Sequence, residues 1–533
     1  MKVKLFATLL CVSFSVAMSA QVKEAPMPEL VRHQDGQYAL YVDAKPFFIL
    51  GGQSGNSNNW PAMHPQLFDT MRAMNANTLE VPIYWEAIEP VQGQYDFSSV
   101  KTIIDEARRN DIRLVLLWFA TWKNGSGHYM PEWMKLDSKK YYNVVGAQGQ
   151  PVDSPSPHCK AAMELDAKAF AAVMEFIRDY DPCRTVIMMQ VQNEPGTWGS
   201  VRDYSKSVDK LFRSDVPAAL LKPEILAELG AGAKEGSWTE VFGERADEYF
   251  HAWHVASYIE YVAAAGKAVY PLPMYVNAAL RSPFGNPPAT QYESGGPTDN
   301  VICIYKAAAP SIDLVAPDIY QRGDKDYMES IRLYTRPDNC LMVPETISAS
   351  KYLYEVVSRG IGFSPFGVDG GRRIGPLADE YRMLAPIVDK LAQWRLEGRI
   401  YTAFEPEDHA VRYVDLGKWQ AILTFGRPNR SNVQGAVAAG EPQPADGHAM
   451  LVKLSDNEFY AFGTNVRYTF QPLGKDKGKA WHFLRVEEGF FNEDGEWEMI
   501  RVLNGDQTDW TGPYVGKQPT ALRIKLYVRE PRK

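Results

Sequence analysis

Short, unbroken apolar runs alternate with stretches of helical spacing along the first three-quarters of the chain. Eight of these runs predict strands, at residues 47–51, 77–85, 113–122, 185–191, 273–280, 312–320, 341–346 and 360–366. Strands buried on both faces of a parallel sheet have this pattern. Helical spacing predicts helices over 65–75, 100–110, 161–180, 245–269 and 377–398. Because eight strands alternate with helices, residues 21–398 are predicted to form an α/β domain, a closed (β/α)8 TIM barrel.

The pattern changes after residue 398. Short stretches of alternating polar and apolar residues take over, at 419–425, 449–454, 458–463, 481–486, 497–502 and 521–528. Such stretches, separated by turn residues, are typical of antiparallel sheets. Residues 399–533 are therefore predicted to form a C-terminal antiparallel β-sandwich domain. Residues 201–243 are predicted to be an insertion after the fourth barrel strand.

The first twenty residues have the pattern of a segment that is removed from the mature protein. Lys2 and Lys4 precede an apolar stretch, and the small residues Ser19 and Ala20 follow it. This order predicts a cleaved signal peptide over residues 1–20 and a periplasmic or secreted protein. No other stretch approaches the roughly 20 consecutive apolar residues that a membrane span needs, so no span is predicted.

Charge and metal-ligating residues exclude several kinds of partner. The 57 Lys and Arg residues face 65 Asp and Glu residues, and no long basic run is present, so a nucleic-acid groove is not expected. His251 and His254 lie three residues apart on a predicted helix without a third ligand, so a solvated helix face is expected. No metal or organic cofactor is predicted.

The cysteines that follow the signal peptide contain no C-x-x-C pair, so they predict no zinc site. These cysteines are Cys159, Cys183, Cys303 and Cys340. In an oxidising compartment the nearest pair, Cys159 and Cys183, could form a disulfide. Buried free thiols are the expected alternative in a chain with a large core.

Two predicted barrel strands end in a glutamate. The fourth run leads into Gln192-Asn193-Glu194-Pro195, and the seventh ends in Pro344-Glu345. Catalytic groups of TIM barrels lie at the carboxyl ends of the strands. Strands four and seven lie across the mouth from each other, and facing carboxyl groups are what glycosidic bond cleavage requires. Solvated loop carboxylates are the alternative, but two glutamates at these strand ends are hard to obtain by chance.

Other polar and aromatic residues at strand ends are candidates for substrate contacts. They are Gln53 and Asn56 after strand one, Glu86 after strand two, Trp122 after strand three, Asn193 beside Glu194, Asn277 after strand five and Tyr320 after strand six. The Asn193 amide could hydrogen-bond a sugar 2-hydroxyl. Trp122 could stack on a pyranose, although a lone tryptophan is more often part of the core. Tyr320 could equally be a packed aromatic, and Asn277 a turn cap.

The residues around the two glutamates resemble those of retaining (β/α)8 glycosidases, which carry the acid/base on strand four and the nucleophile on strand seven. The segment 75–97, with Asn75-Ala76-Asn77-Thr78 at its start and Gly93-Gln94-Tyr95-Asp96-Phe97 at its end, resembles glycoside hydrolase family 35, the β-galactosidases. Residues 362–367 and the β-rich tail resemble a bacterial branch of that family. Strand two also resembles family 42, another β-galactosidase family.

The resemblance implies an activity and roles for particular residues. It implies an exo-acting, retaining β-galactosidase that removes terminal β-galactosyl residues by double displacement, with plant cell-wall glycans among the candidate substrates. Glu345 would be the nucleophile, Glu194 the acid/base, and Asn193 the ligand of the 2-hydroxyl. Tyr320 would donate its phenol to Glu345. A carbohydrate substrate is the only partner implied, and the oligomeric state stays open.

Three positions depart from the family pattern. Pro82, Glu86 and Thr121 stand where the family has tyrosine, asparagine and glutamate in its galactose pocket. One alternative is therefore a glycosidase of the same clan acting on arabinopyranose, fucose or glucose, and another is an inactive secreted glycan-binding protein. The sandwich could also bind sugar through its tryptophans, which are Trp419, Trp481 and Trp497, although a buttress for the barrel is expected.

Overall fold

A computed structural model of the chain describes residues 24–370, 374–426, 445–509 and 512–529. The predicted signal peptide over residues 1–20 lies outside these ranges. Among the helices in these ranges, none is both long enough and apolar enough to cross a bilayer.

The structure up to residue 400 alternates strands and helices. The strands are β1 Glu29–Arg32, β2 Tyr38–Val42, β3 Lys45–Phe47, β4 Ile49–Gln53, β5 Thr78–Tyr84, β6 Arg113–Lys123, β7 Asn143–Val145, β8 Pro151–Pro155, β9 Val186–Asn193, β10 Met274–Ala279, β11 Leu314–Ile319, β12 Leu341–Thr346 and β13 Gly360–Pro365. The α-helices are α1 His64–Met74, α2 Trp85–Ile88, α3 Ser98–Arg109, α4 Glu132–Lys135, α5 Lys160–Tyr180, α6 Lys206–Phe212, α7 Pro223–Glu228, α8 Trp238–Phe242, α9 Ala246–Val269, α10 Ile302–Ala308, α11 Asp324–Tyr334, α12 Leu353–Val357, α13 Gly375–Leu384 and α14 Val388–Leu396.

Eight parallel strands close into one barrel, in the order β4-β5-β6-β9-β10-β11-β12-β13. The ring closes where Gly362 and Phe363 of β13 lie opposite Ile49 and Leu50 of β4. Each barrel strand coincides with one of the predicted apolar runs, and β4, β5, β9 and β12 are buried along their whole length. The predicted TIM barrel is confirmed.

A small antiparallel sheet, β1-β2-β3, covers the amino-terminal end of the barrel. Leu40 and Val42 of this sheet belong to the same buried cluster as Val115, Leu314 and Met342, which lie near the starts of their barrel strands. The strands of this sheet are 3–5 residues long, too short for a periodic pattern to reveal them. Because this end is covered, the site must be built at the carboxyl end.

The C-terminal part forms two antiparallel sheets, as predicted. Its strands are β14 Ile400–Phe404, β15 Arg412–Asp415, β16 Trp419–Phe425, β17 His448–Ser455, β18 Glu458–Thr464, β19 Val466–Pro472, β20 Trp481–Phe491, β21 Trp497–Leu503, β22 Tyr514–Val515 and β23 Thr520–Val528. One sheet has the order β14-β17-β18-β23-β20-β21 and the other β15-β16-β19-β22. Apolar side chains of both sheets share one buried cluster.

The three tryptophans considered as a sugar platform are packed in the sandwich. Trp419 is fully buried, its Nε1–H donates to Asn457 at 3.0 Å, and Trp481 packs edge-on against it. Trp497 donates to Glu487 at 3.0 Å and packs on aromatic neighbours. Because these rings pack against other residues of the protein, the expected role of the sandwich as a support for the barrel is favoured over a sugar-binding role.

Two local predictions need correction. The helix predicted over 377–398 is divided into α13 and α14, with Pro386 at the break, because proline cannot donate to the helical ladder. The prediction that His251 and His254 lie on a solvated helix face is wrong. His251 is fully buried with Nε2 2.9 Å from Thr197 Oγ1, and burial lowers its pKa to about 3.

The four cysteines are free, so the Cys159–Cys183 disulfide is absent. The expected buried thiols are found at Cys159, Cys303 and Cys340, whereas Cys183 is exposed.

A buried ion pair joins the barrel to the sandwich. His448 Nε2 lies 2.7 Å from the Glu380 carboxylate, and Nδ1 lies 2.8 Å from the Asp446 carbonyl. Both ring nitrogens therefore face acceptors, an arrangement that the imidazolium form satisfies. Burial alone would lower the pKa of His448, but the Glu380 charge and hydrogen bond outweigh it and raise that pKa above its usual value.

Replacing His448 with glutamine should destabilise the protein more at pH 5.5 than at pH 8.5. The pKa of His448 is higher in the folded than in the unfolded protein, so the ion pair gives its full stabilisation below the unfolded pKa of about 6.5. This stabilisation is lost as the pH rises through the folded pKa. The expected loss at pH 5.5 is about 3 kcal/mol, the scale for breaking a buried pair. Urea unfolding followed by tryptophan fluorescence at both pH values measures it, and an equal loss at both would contradict the charged pair.

Candidate active site

Three carboxyl groups meet at the carboxyl end of the barrel. Glu194 directly follows β9, Asp318 lies near the end of β11, and Glu345 lies near the end of β12. One oxygen from each lies within 4.8 Å of one oxygen from the other two, and all three side chains are buried. The structure therefore brings together the two glutamates singled out in the sequence and adds an aspartate.

The backbone at the end of β9 is bent, and the bend sets the direction of Glu194. Gln192 has a φ of 65° and Glu194 a φ of 43°, in the left-handed region that residues other than glycine seldom adopt. Gln192 Nε2 donates to Asp166 Oδ2 at 2.7 Å, and Gln192 Oε1 accepts from the backbone N–H of Trp122 at 2.9 Å. Strained backbone of this kind persists where surrounding hydrogen bonds hold it, and it often occurs at functional sites.

Glu345 is held by two hydrogen-bond donors. Gln53 Nε2 donates to Oε2 at 2.9 Å, and the Tyr320 hydroxyl donates to Oε1. Hydrogen bonds to both oxygens fix the orientation of the carboxyl group. Gln53 and Tyr320 are thus brought to the site, and Tyr320 is placed by this contact rather than by packing alone.

Glu194 has the opposite environment. Its backbone N–H donates to Asn277 Oδ1 at 2.9 Å. Burial, with the nearby Glu345 charge second, raises the pKa of its carboxyl to about 7, although Lys123 opposes the shift. Glu194 thus has a raised pKa beside a second carboxyl group, with oxygens of the two within 4.8 Å of each other, and a raised pKa allows a carboxyl group to act as an acid near neutral pH.

Asp318 links these groups. Its Oδ2 accepts a hydrogen bond from Asn277 Nδ2 at 2.6 Å, and Asn277 in turn holds the Glu194 backbone. Burial and the charges of Glu345 and Glu194 raise the pKa of Asp318 well above its ordinary value. Asn277 is therefore a positioning residue of the site, not a turn cap. Asp318 could have been found as the polar residue two positions before Tyr320, at the end of the sixth apolar run.

Asn193 lies in the same region with unsatisfied polar atoms. It is fully buried, and neither Oδ1 nor Nδ2 has a hydrogen-bond partner among the described residues. Buried amides are almost always hydrogen-bonded in folded proteins, so the Asn193 amide is free to bond a ligand or a water.

Three positions of the sequence analysis have described contacts with residues other than Glu194, Asp318 and Glu345. Trp122 is fully buried and meets Tyr258 edge-on at 4.7 Å in the helix-facing core, so it offers no face to a sugar. Glu86 is ion-paired with Lys135 at 2.9 Å. Thr121 donates to Asp166 at 2.6 Å, toward α5.

Asn56 follows β4 and is half-buried. Its carbonyl accepts from the Tyr129 hydroxyl at 3.3 Å, and its side-chain oxygen has no partner in the described part of the chain. None of its described contacts reaches Glu194 or Glu345.

Three functional candidates were missed in the sequence. Lys123 ends β6 and is almost fully buried, Trp198 follows Glu194 closely and is exposed, and Glu293 lies in the long segment after β10. Lys123 could have been found as a charged residue directly after an apolar strand. Nothing in the pattern around Trp198 or Glu293 indicated that they approach the site.

Within the described ranges, the three clustered carboxyl groups are also close enough together to hold a metal ion. Their oxygens already accept hydrogen bonds from amide and phenol groups. Burial raises the pKa of Glu194 and Asp318, and a protonated carboxyl is a poor metal ligand. The cluster therefore fits proton transfer better than cation binding.

Comparison with known families adds an independent observation. A family model described as β-galactosidase, that of glycoside hydrolase family 42, matches residues 56–220, which include β5, β6, β9 and Glu194. The chain is therefore similar to this family over residues 56–220. The match supports the clan of β-galactosidases, whereas the predicted assignment to family 35 is not confirmed. A second model, described as a domain of unknown function (DUF5597), matches residues 377–512.

Individual relatives are distant. The chain is 26% identical over 169 residues to a β-galactosidase of Xanthomonas manihotis, covering 30% of this chain and 26% of that one. It is 26% identical over 113 residues to β-galactosidase 14 of Arabidopsis thaliana, covering 20% and 12%. The chain thus matches 26% and 12% of the length of these relatives. Among solved structures, the β-galactosidase of Bacillus circulans sp. alkalophilus is 15% identical, with 64% of this chain and 57% of that chain covered and a TM-score of 0.47.

Proposed function

We propose that the protein is a retaining β-galactosidase that removes terminal β-galactosyl residues from oligo- or polysaccharides. The observation that carries this proposal is the pair Glu194 and Glu345, with oxygens within 4.8 Å and unlike environments. Retaining glycosidases have carboxyl groups about 5–5.5 Å apart, whereas inverting enzymes leave room for a water between them. The family model that matches residues 56–220 supports galactose as the sugar.

The reaction has two steps. In the first, a Glu345 oxygen attacks the anomeric carbon, the glycosidic C–O bond breaks, and Glu194 gives its proton to the departing oxygen. In the second, water attacks the same carbon, Glu194 takes the proton of the water, and Glu345 leaves as a carboxylate. The product keeps the β configuration. We propose that the amide of Asn193, which has no hydrogen-bond partner among the described residues, bonds the 2-hydroxyl, a contact that strengthens in the transition state.

A panel of aryl glycosides tests the sugar. We expect the highest kcat/KM with the β-galactoside and lower values with the β-fucoside, α-arabinopyranoside and β-glucoside. Thr121 stands where family 35 has a glutamate, and its hydroxyl donates to Asp166, so this position supplies no carboxylate to the pocket. The alternative sugars are therefore included in the panel. A higher kcat/KM for another sugar would overturn galactose but not the hydrolase. Binding of galactosides without turnover would favour the inactive glycan-binding alternative.

Replacing Lys123 with methionine should shift the alkaline limb of the pH profile of kcat/KM to higher pH. Glu194 must be protonated to act as an acid, so kcat/KM of the wild type should fall as the pH rises through about 7. The Lys123 charge lowers the pKa of Glu194, so its removal raises that pKa. The limb is measured as kcat/KM on one substrate between pH 5 and 9. A limb that stays at the same pH or shifts to lower pH would contradict the role of Lys123 in lowering the pKa of Glu194.

We also propose that the protein is exported and that residues 1–20 are removed. The basic start, apolar stretch and small residues before Gln21 support this. N-terminal sequencing of the protein recovered from the periplasm or medium tests it, and an intact N-terminus would contradict it.

A further inference from the structure

An exposed tryptophan stands four residues after Glu194. Trp198 is 48% exposed, which is unusual for the largest apolar side chain in a barrel mouth. Its segment is not free to move away. The Thr197 N–H donates to the Ser294 carbonyl at 2.9 Å, the Ser294 N–H donates back at 3.1 Å, and Thr197 Oγ1 also bonds Ser154 and His251. The indole is therefore held in place before any ligand arrives.

A buried carboxyl group lies against this indole. Trp198 Nε1 donates to Glu293 Oε1 at 2.5 Å. Glu293 is only 2% exposed, and its other oxygen, Oε2, has no hydrogen-bond partner in the described ranges. A buried carboxyl oxygen without a partner is costly unless a ligand or water completes it.

Contacts of Gly125 place this pair relative to the two catalytic glutamates. Trp198 and Glu293 both lie against Gly125, and the Gly125 N–H donates to the Glu194 carbonyl at 3.1 Å. The charge of Glu194 also acts on Glu293. Glu345 itself is surrounded by Gln53 and Tyr320. Trp198 and Glu293 thus lie on the Glu194 side of the cleft.

Glu194 is the group that gives its proton to the departing oxygen, so groups on its far side face the part of the substrate that leaves. We propose that Trp198 and Glu293 form a subsite for a sugar leaving group, with the indole stacked on the apolar face of a pyranose and Glu293 Oε2 bonded to one of its hydroxyls. An apolar surface beside one fixed polar group is the usual recognition of a sugar ring. The inference rests on the proposed glycosidase function and deepens it, because it makes an oligosaccharide the natural substrate rather than a glycoside with a small aglycone.

The test compares two substrates that share galactose and differ in the leaving group. One is a β-1,4-linked galactosyl disaccharide, and the other is 2,2,2-trifluoroethyl β-galactoside, whose leaving group is too small to cover an indole. Trp198→Ala should lower kcat/KM for the disaccharide about tenfold or more and leave the trifluoroethyl glycoside within about twofold. Trp198→Phe keeps a ring but loses the N–H to Glu293, so it should fall between the two.

Two further variants separate recognition from structure. Glu293→Gln keeps the shape and a hydrogen-bonding oxygen, so it should lose less on the disaccharide than Trp198→Ala. Tyr413→Ala removes a more exposed aromatic of the sandwich, 63% exposed, and should leave kcat/KM for both substrates unchanged. Thermal unfolding of each variant shows whether it is folded.

A second readout uses the glycosyl-enzyme. In the wild type, a free sugar acceptor should compete with water for the intermediate, and Trp198→Ala should lose this transfer while transfer to methanol persists. Equal losses on both substrates, or no loss on either, would overturn the subsite while leaving the galactosidase proposal intact. If the wild type turns over neither galactoside, the galactosidase proposal fails and the subsite fails with it.

Discussion

Replacing Glu345 with alanine should reduce kcat on every β-galactoside by at least about 10⁴-fold, the scale seen when a nucleophile is removed. The carboxylate is the group that forms the bond to the anomeric carbon, and hydrogen bonds from Gln53 and Tyr320 hold it in place. No described neighbour can take its place, because burial raises the pKa values of Asp318 and Glu194, and a carboxyl group that keeps its proton is a poor nucleophile.

Azide provides the control for this variant. In Glu345→Ala the space left by the side chain should admit azide, which attacks the anomeric carbon and yields the α-galactosyl azide with partial recovery of turnover. Glu132→Ala, which alters an exposed glutamate of α4, should behave as the wild type. Turnover by Glu345→Ala within about tenfold of the wild type would exclude Glu345 as the nucleophile.

Replacing Glu194 with alanine should give a loss that depends on the leaving group. A disaccharide needs a proton on its departing oxygen, so kcat/KM should fall about 10³- to 10⁴-fold, within the range of general acid catalysis. A dinitrophenyl galactoside leaves without a proton, so its first step should be nearly normal. Its second step then lacks a base, and the glycosyl-enzyme should accumulate as a burst.

Azide distinguishes this role from that of Glu345. It should react with the accumulated glycosyl-enzyme of Glu194→Ala and give the β-galactosyl azide, the opposite anomer to that from Glu345→Ala. The alkaline limb near pH 7 should also disappear, because Glu194 is the group that titrates there. Equal losses on the disaccharide and the dinitrophenyl substrate would be inconsistent with an acid/base role.

The barrel could be predicted from the sequence because its strands are buried on both faces. Runs such as 341–346 have no polar interruption except the glutamate near the end, and the structure has β12 at the same bounds. Short elements were not predictable. The sheet β1-β2-β3 owes its existence to Leu40 and Val42 packing into the barrel, a contact that no local pattern reveals.

The site could be predicted only where chemistry coincides with a strand end. Glu194, Glu345, Gln53 and Tyr320 follow or end apolar runs, and the structure brings them together. Trp122 also follows a run, but it packs with Tyr258 on the helix side of the barrel.

Contacts from long loops could not be predicted. Glu293 is 99 positions from Glu194 in the chain, and only the pairing of Thr197 with Ser294 places it beside the site. Strand-end reasoning has no access to such tertiary contacts, because nothing local to residue 293 specifies its partner.

The most direct test of the central claim is to trap the glycosyl-enzyme. Incubation with 2-deoxy-2-fluoro-β-galactosyl fluoride should inactivate the protein with time, because the fluorine slows hydrolysis of the intermediate more than its formation. Mass spectrometry of the digested protein should find one fluorogalactosyl group, on the peptide that contains Glu345 and on that side chain. A label on any other residue, or steady turnover with no label and an α-configured product, would contradict the account.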